Sequence, residues 1–141
     1  MDSPSLIPEL DVEDLGRSLA FYVGLVGFTV RFERPEERFA YLTRGDVHLM
    51  LEEAAGPGRR FRTAPLEHPY GRGVNLQIRV QDAAALCADV LAAGTDLYLP
   101  LEERWYRGNR IENGLRQFVV ADPDGYLLRF FTDLGQRPVG T

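Results

Sequence analysis

Residues 14–28 read DLGRSLAFYVGLVGF, and what this stretch must lie against decides the fold. Asp14 suits a helix N-cap, because its carboxylate can accept from the free amides of a first turn. Gly27 suits the stop, since it takes the left-handed conformation that ends a helix at no steric cost. Between them Leu15, Leu19, Tyr22 and Val26 fall at i, i+4, i+7 and i+11 and share one face. The spacing predicts an amphipathic helix that needs an apolar surface beneath it.

Working outward, residues 6–12 alternate and predict a strand before the helix. Residues 29–33, 39–43 and 47–52 predict three strands after it. They are divided by the turn Arg34-Pro35-Glu36-Glu37 and by a short hairpin at Arg44-Gly45-Asp46. The order is β-α-β-β-β. Residues 54–72 are rich in Gly, Pro and Arg and predict a linker. The pattern then returns. Residues 74–80 predict a strand, 82–93 a helix opened by Asp82 and closed by Gly94, and 96–101 a strand. Residues 115–121 and 126–132 predict a hairpin over Asp122-Pro123-Asp124-Gly125. The two capping aspartates lie 82 − 14 = 68 residues apart, and matching caps, faces and strand order argue for an internal duplication. The expected architecture is α+β: two tandem βαβββ modules forming one domain, 1–141, with curved mixed sheets around a cleft. Module one spans about 5–53, the linker 54–72 and module two about 73–134.

Alternate strand residues point to opposite sides. One side carries Pro8, Leu10 and Val12; Val47, Leu49 and Leu51; Leu76, Ile78 and Val80; Leu128 and Phe130. All are apolar, so this side is the expected floor beneath the helices. The other carries Ile7, Glu9 and Asp11; His48, Met50 and Glu52; Asn75, Gln77 and Arg79; Leu127, Arg129 and Phe131. Charge of this kind does not go unpaired into dry core. The side is either plain solvated sheet or the wall of a polar pocket.

The net charge of −5 and pI near 5.0 argue against nucleic acid as a partner, which needs a basic face. A single cysteine forms no internal disulfide and fits a reducing compartment; Cys87 lies on the apolar helix face and reads as a small hydrophobe. No stretch suits a signal peptide or a membrane span, so the expected location is cytoplasmic, with no membrane partner. No nucleophile elbow, phosphate loop or paired-cysteine motif is present. Trp105 and Tyr106 sit in LEERWYRGNRIENG, a charged stretch expected to be a long loop before the final hairpin. The two rings either stack a planar ligand or pack back on the sheet or into a dimer contact.

Asp14-Leu15, Ser18-Leu19-Ala20-Phe21-Tyr22 and Gly27-Phe28, together with Asp122-Pro123-Asp124-Gly125-Tyr126, resemble the vicinal oxygen chelate superfamily. Within it the chain looks most like the bleomycin-resistance-type proteins of the glyoxalase group, over about residues 6–132. The resemblance implies sheets curled around a site on their concave faces, and a homodimer. It also sets the positions at which related metalloenzymes carry His, Gln or Glu, which here are Ile7, Met50, Asn75 and Arg129. Isoleucine cannot ligate, methionine is a poor ligand for hard divalent ions, and arginine carries a fixed positive charge. No metal and no cofactor are therefore expected. His48 with Glu9 and Glu52 would be a shifted ligand set. Antibiotic-binding relatives commonly carry Trp-Gly before the strand matching 117–120, where this chain has Asn113-Gly114-Leu115-Arg116.

The resulting expectation is a metal-free protein that binds and sequesters a small planar molecule, bleomycin-like and with a cationic group as one option, without a catalytic residue. The candidate ligand-binding residues are Glu9, His48, Met50, Glu52, Asn75, Gln77, Trp105, Tyr106 and Arg129. Arg129 is expected to find an acidic partner, with Glu52 the first choice. The alternative is a metal-dependent lyase, isomerase or extradiol-type dioxygenase of the same superfamily.

Overall fold

The structure is a computed structural model that describes residues 3–140. The chain divides into two compact units, Met1–Tyr70 and Gly71–Thr141. In the first, β1 (Glu9–Val12) leads into α1 (Leu15–Leu19), a π-helical turn (Ala20–Leu25) and β2 (Thr29–Arg34). A 3-10 turn over Pro35–Glu37 precedes β3 (Phe39–Arg44) and β4 (Val47–Glu53). The strands order β1-β4-β3-β2, with β1 parallel to β4 and the other pairs antiparallel. The second unit repeats the plan with β5 (Asn75–Arg79), α2 (Ala83–Ala92), β6 (Leu99–Gly108), β7 (Ile111–Ala121) and β8 (Leu127–Pro138). Its order is β5-β8-β7-β6, again with the outer β5 parallel and the rest antiparallel. These two mixed four-stranded sheets are the α+β tandem modules expected from the sequence.

The caps form as the residues dictate. Asp14 Oδ1 accepts from the Arg17 amide at 3.0 Å, and Asp82 Oδ1 accepts from the Ala85 amide at 3.0 Å. Gly27 and Gly94 end the two helical segments at φ of +84° and +81°. The apolar floor is buried: Leu10, Leu49, Leu51, Ile78, Leu128 and Phe130 are all inside. In the second unit Leu86, Cys87 and Val90 of α2 are buried, and Phe118 stacks on Phe130 at 5.5 Å.

Two details depart from the expected pattern. The first helix buries Ser18, Phe21, Tyr22 and Val26, while Leu15 and Leu19 are only half-buried. The π turn holds more residues per turn, so positions after Leu19 rotate away from the α-helical face. Tyr22, fully buried, meets the edges of Phe21 and Phe28 at 5.2 and 5.7 Å. The second departure is larger. Residues 102–114, expected as a loop, are strand: β6 and β7 pair out to Gly108 and Ile111 and turn over Asn109 and Arg110. Trp105 and Tyr106 therefore lie on a β-ribbon, whose pairing with β7 supplies the order that no apolar alternation announced.

Residues 54–70 belong to the first unit rather than bridging freely. Arg60 reaches the Glu52 carboxylate and the Glu53 carbonyl, and Arg62 donates to Asp11 at 3.0 Å and to the Ala54 carbonyl at 2.7 Å.

Candidate functional site

Each of the two units has its own four-stranded sheet. In the first, register places Tyr41 opposite Met50 and Phe39 opposite Glu52, with Glu9 beside Met50 and Asp11 beside Glu52. This polar side is largely occupied by its own chain. Phe32 stacks on Tyr41 at 4.9 Å, and the Arg34 guanidinium sits 3.9 Å over Phe39. Tyr41 Oη lies 2.6 Å from His48 Nδ1, so His48 is buried in a hydrogen bond rather than open to a cleft. Glu52 is buried too, under the Arg60 guanidinium, which also lies 3.6 Å from Asp11. Glu9 stays exposed. Partial burial raises its carboxyl above the ordinary value, and the Glu52 and Asp11 carboxylates beside it push the same way.

These contacts bear on the shifted metal set. Among the described residues, the ligand atoms of Glu9, His48 and Glu52 do not gather within 4.8 Å of one another. Glu52 is committed to Arg60 and His48 to Tyr41. The positions set by family resemblance fit a divalent ion no better. Ile7 precedes β1, Met50 offers a thioether, and Arg129 brings a cation with Asn75 as its hydrogen-bond partner.

The second unit is more open. A cavity of about 440 Å³ lies on the polar side of its sheet, with Gln77, Arg79, Tyr106, Arg129, Phe131 and Asp133 in its wall. That volume is in the range of small-molecule sites. Register explains the gathering. Gln77 pairs with Arg129 and Arg79 with Phe131 across β5 and β8, while Tyr106 comes from β6 opposite Asn113. Directly paired residues share a sheet face, so alternation brings these side chains to one side.

Beneath the cavity lies Gln117, 1% exposed. Its Nε2 donates to Glu102 Oε2 at 2.9 Å and to Tyr106 Oη at 2.8 Å, and its Oε1 accepts from Arg129 Nη2 at 3.2 Å. Arg129 Nη1 also donates to Asn75 Oδ1, at 3.5 Å. The expected pairing of Arg129 with a carboxylate is thus replaced by two amide oxygens, and Glu52 takes Arg60 instead. Arg79 does have an acidic neighbour, Asp133, at 3.7 Å.

Gln77, Tyr106 and Arg129 line this cavity and Asn75 braces Arg129. Glu9, His48, Met50 and Glu52 belong to the first unit's sheet. Trp105, one residue from Tyr106 on a strand, faces the opposite side. Its indole covers Gly114, where an added Cβ would lie 2.6 Å from the ring, and the Arg137 guanidinium sits 4.0 Å over it. The pair therefore does not act as one stacking surface. Arg79, Asn113, Leu115, Phe131 and Asp133 also line the cavity, and Gln117 is hydrogen-bonded to two of its residues, Tyr106 and Arg129; the sequence does not single these out as ligand-binding residues. Arg79 and Phe131 stood in the polar alternation; Gln117 carried no signal, because its role comes from pairing across β6, β7 and β8.

Two four-stranded sheets of the same βαβββ plan are the tandem modules of the vicinal oxygen chelate fold. The chain belongs to the glyoxalase/bleomycin resistance protein/dioxygenase superfamily, whose model matches residues 8–130. Bleomycin resistance proteins of Geobacillus stearothermophilus and Staphylococcus aureus are each 29% identical over 140 residues, covering 91% of this chain and 96% of theirs. The crystal structure of TioX from Micromonospora sp. ML1 superimposes with a TM-score of 0.72 at 23% identity, over 94% of this chain and all of that one. A protein of unknown function from Agrobacterium tumefaciens gives 0.70 at 24% identity, over 95% of this chain and 97% of that one. These two structures share the fold. No helix among the described residues is long and apolar enough to cross a membrane.

Proposed function

We propose that the chain binds and sequesters a small molecule with a planar ring, using the cavity of its second unit, without metal and without chemistry. The observation that carries this reading is the cavity itself: about 440 Å³, with the ring of Phe131 and the phenol of Tyr106 in its wall beside polar groups that fix orientation. Similarity to bleomycin resistance proteins supports an antibiotic as the ligand class. Sequestration needs only equilibrium binding. The chemistry of Ile7, Met50, Asn75 and Arg129, none of which offers a carboxylate or an imidazole, favours binding over the metal-dependent lyase, isomerase or dioxygenase alternative. In the first unit, Glu52 and Asp11 already hold arginines from the same chain, which argues against using them for a cationic ligand. A homodimer, which the family resemblance implies, is the proposed assembly.

Calorimetric titration with bleomycin and other planar antibiotics tests the reading. Saturable binding that Tyr106→Ala weakens is expected. Stoichiometric tightly held iron, zinc or manganese in the purified protein would favour the enzyme reading instead.

A further inference from the structure

We infer that the second unit's cavity selects planar aromatic ligands bearing an anionic oxygen group, a carboxylate being the simplest, and that Arg129 and the Tyr106 hydroxyl hold that group. The inference rests on the proposed use of this cavity and adds the chemistry of its ligand.

The neighbours of Gln117 allow its amide only one orientation. An arginine has donors and no acceptor, so the atom facing Arg129 must be oxygen. The Glu102 carboxylate oxygen accepts, so the atom facing it must be nitrogen. Two independent neighbours thus fix the same orientation, and a flipped amide would break both bonds. The Nε2 group then donates its two hydrogens, one to Glu102 and one to Tyr106 Oη. Tyr106 is consequently the acceptor in that bond, and its own O–H proton remains for another partner.

Arg129 has the same surplus. A guanidinium carries five N–H donors, and Arg129 uses two of them, on Asn75 and Gln117. Both partners are neutral, so its positive charge is oriented but not cancelled. Within the cavity wall, Arg79 and Asp133 offset one another at 3.7 Å, which leaves Arg129 as the uncompensated charge. Glu102 is directed at Gln117 and is not part of the wall. A braced guanidinium and a free phenolic proton, beside the Phe131 ring, match an arene carrying a carboxylate. Charge-assisted hydrogen bonds from arginine are the strong kind, and bidentate geometry suits a carboxylate.

The test is calorimetry with three isosteric probes of different charge: 2-naphthoate, 2-naphthylmethanol and 2-naphthylmethylamine. Naphthoate should bind about ten-fold or more tighter than the alcohol, the size expected for hydrogen bonds to a charged group, with the amine weakest. Arg129→Gln should erase the difference between acid and alcohol, and Arg129→Lys should restore part of it. Tyr106→Phe should weaken naphthoate more than the alcohol. Equal affinity for acid and alcohol, or a preference that survives in Arg129→Gln, would overturn the inference. Amine binding that Tyr106→Ala abolishes would also overturn it while leaving the cavity as the binding site. Failure of all three probes and of the planar antibiotics would remove both readings. Circular dichroism of each variant establishes that the fold is retained.

Discussion

The guanidinium of Arg60 closes over the buried carboxylate of Glu52, tying residues 54–70 onto the polar side of the first sheet. Arg60 and Glu52 are 11% and 6% exposed in their side chains, so this is a buried ion pair rather than a surface one. Such a pair adds little net stability over apolar packing, but breaking it on one side strands a charge. Arg60→Met should therefore cost about 3–5 kcal/mol, and adding Glu52→Leu should recover most of the loss. Urea denaturation of the two single variants and the double variant checks this. Equal stability of Arg60→Met and the native chain would mean that the pair does not hold in solution.

Glu9 gives a pH-dependent counterpart. Its folded-state carboxyl is raised above the ordinary value of 4.5, first by partial burial and then by Glu52 and Asp11. A raised acid favours the folded state when protonated. Its contribution is full below pH 4.5 and is lost as pH climbs through the raised value. Glu9→Gln, which imitates the protonated form, should raise Tm at pH 7 and leave it nearly unchanged at pH 3.5–4. Thermal melts at the two pH values read the difference directly. A gain of the same size at both would remove the carboxyl charge as its cause.

A side chain at Gly114 should displace the Trp105 indole. A Cβ there would lie 2.6–2.7 Å from three atoms of the rigid Trp105 ring, far inside contact distance. Gly114→Ala should destabilise the protein by about 1–3 kcal/mol, the usual range for overpacking, and shift the emission of its one tryptophan. Trp105→Phe, by contrast, should leave ligand affinity in the second unit's cavity unchanged, because the indole lies on the other side of the ribbon. A large affinity loss in that variant would contradict the strand placement.

Cys87 should be inert in the native protein. It is 3% exposed within α2, and burial raises its thiol above the usual value, against a weaker opposing backbone hydrogen bond from Leu101. Labelling with a disulfide reagent should be slow at pH 8 and fast in urea. Rapid labelling without denaturant would show that α2 opens readily.

Much of this architecture was legible because burial imposes period. Leu10, Leu49, Ile78 and Phe130 alternate against polar neighbours, and the two Asp-to-Gly segments announce helices that must cover them. The β6–β7 ribbon escaped because neither of its sides beyond the helix faces a core. Arg104, Trp105, Tyr106 and Arg107 show no apolar beat, and only pairing reveals the strand. The candidate site divides in the same way. Arg129 and Gln77 followed from alternation within their own strands. The buried Gln117 and the covering of Glu52 by Arg60 arise between segments distant in sequence, where a single strand pattern is silent.

The widened turn at Ala20–Leu25 records a difference between the two halves. Their opening aspartates, 14 and 82, are 68 residues apart, but their closing glycines, 27 and 94, are 67 apart. The first copy thus carries one residue more between the same two landmarks, and the π turn accommodates it as a local swelling. A one-residue difference inside a strand would have turned the strand inside out; in a helix it cost only a shifted apolar stripe. Divergence after duplication has here been absorbed where the backbone could take up an extra link, leaving the sheets of the two halves in matching order.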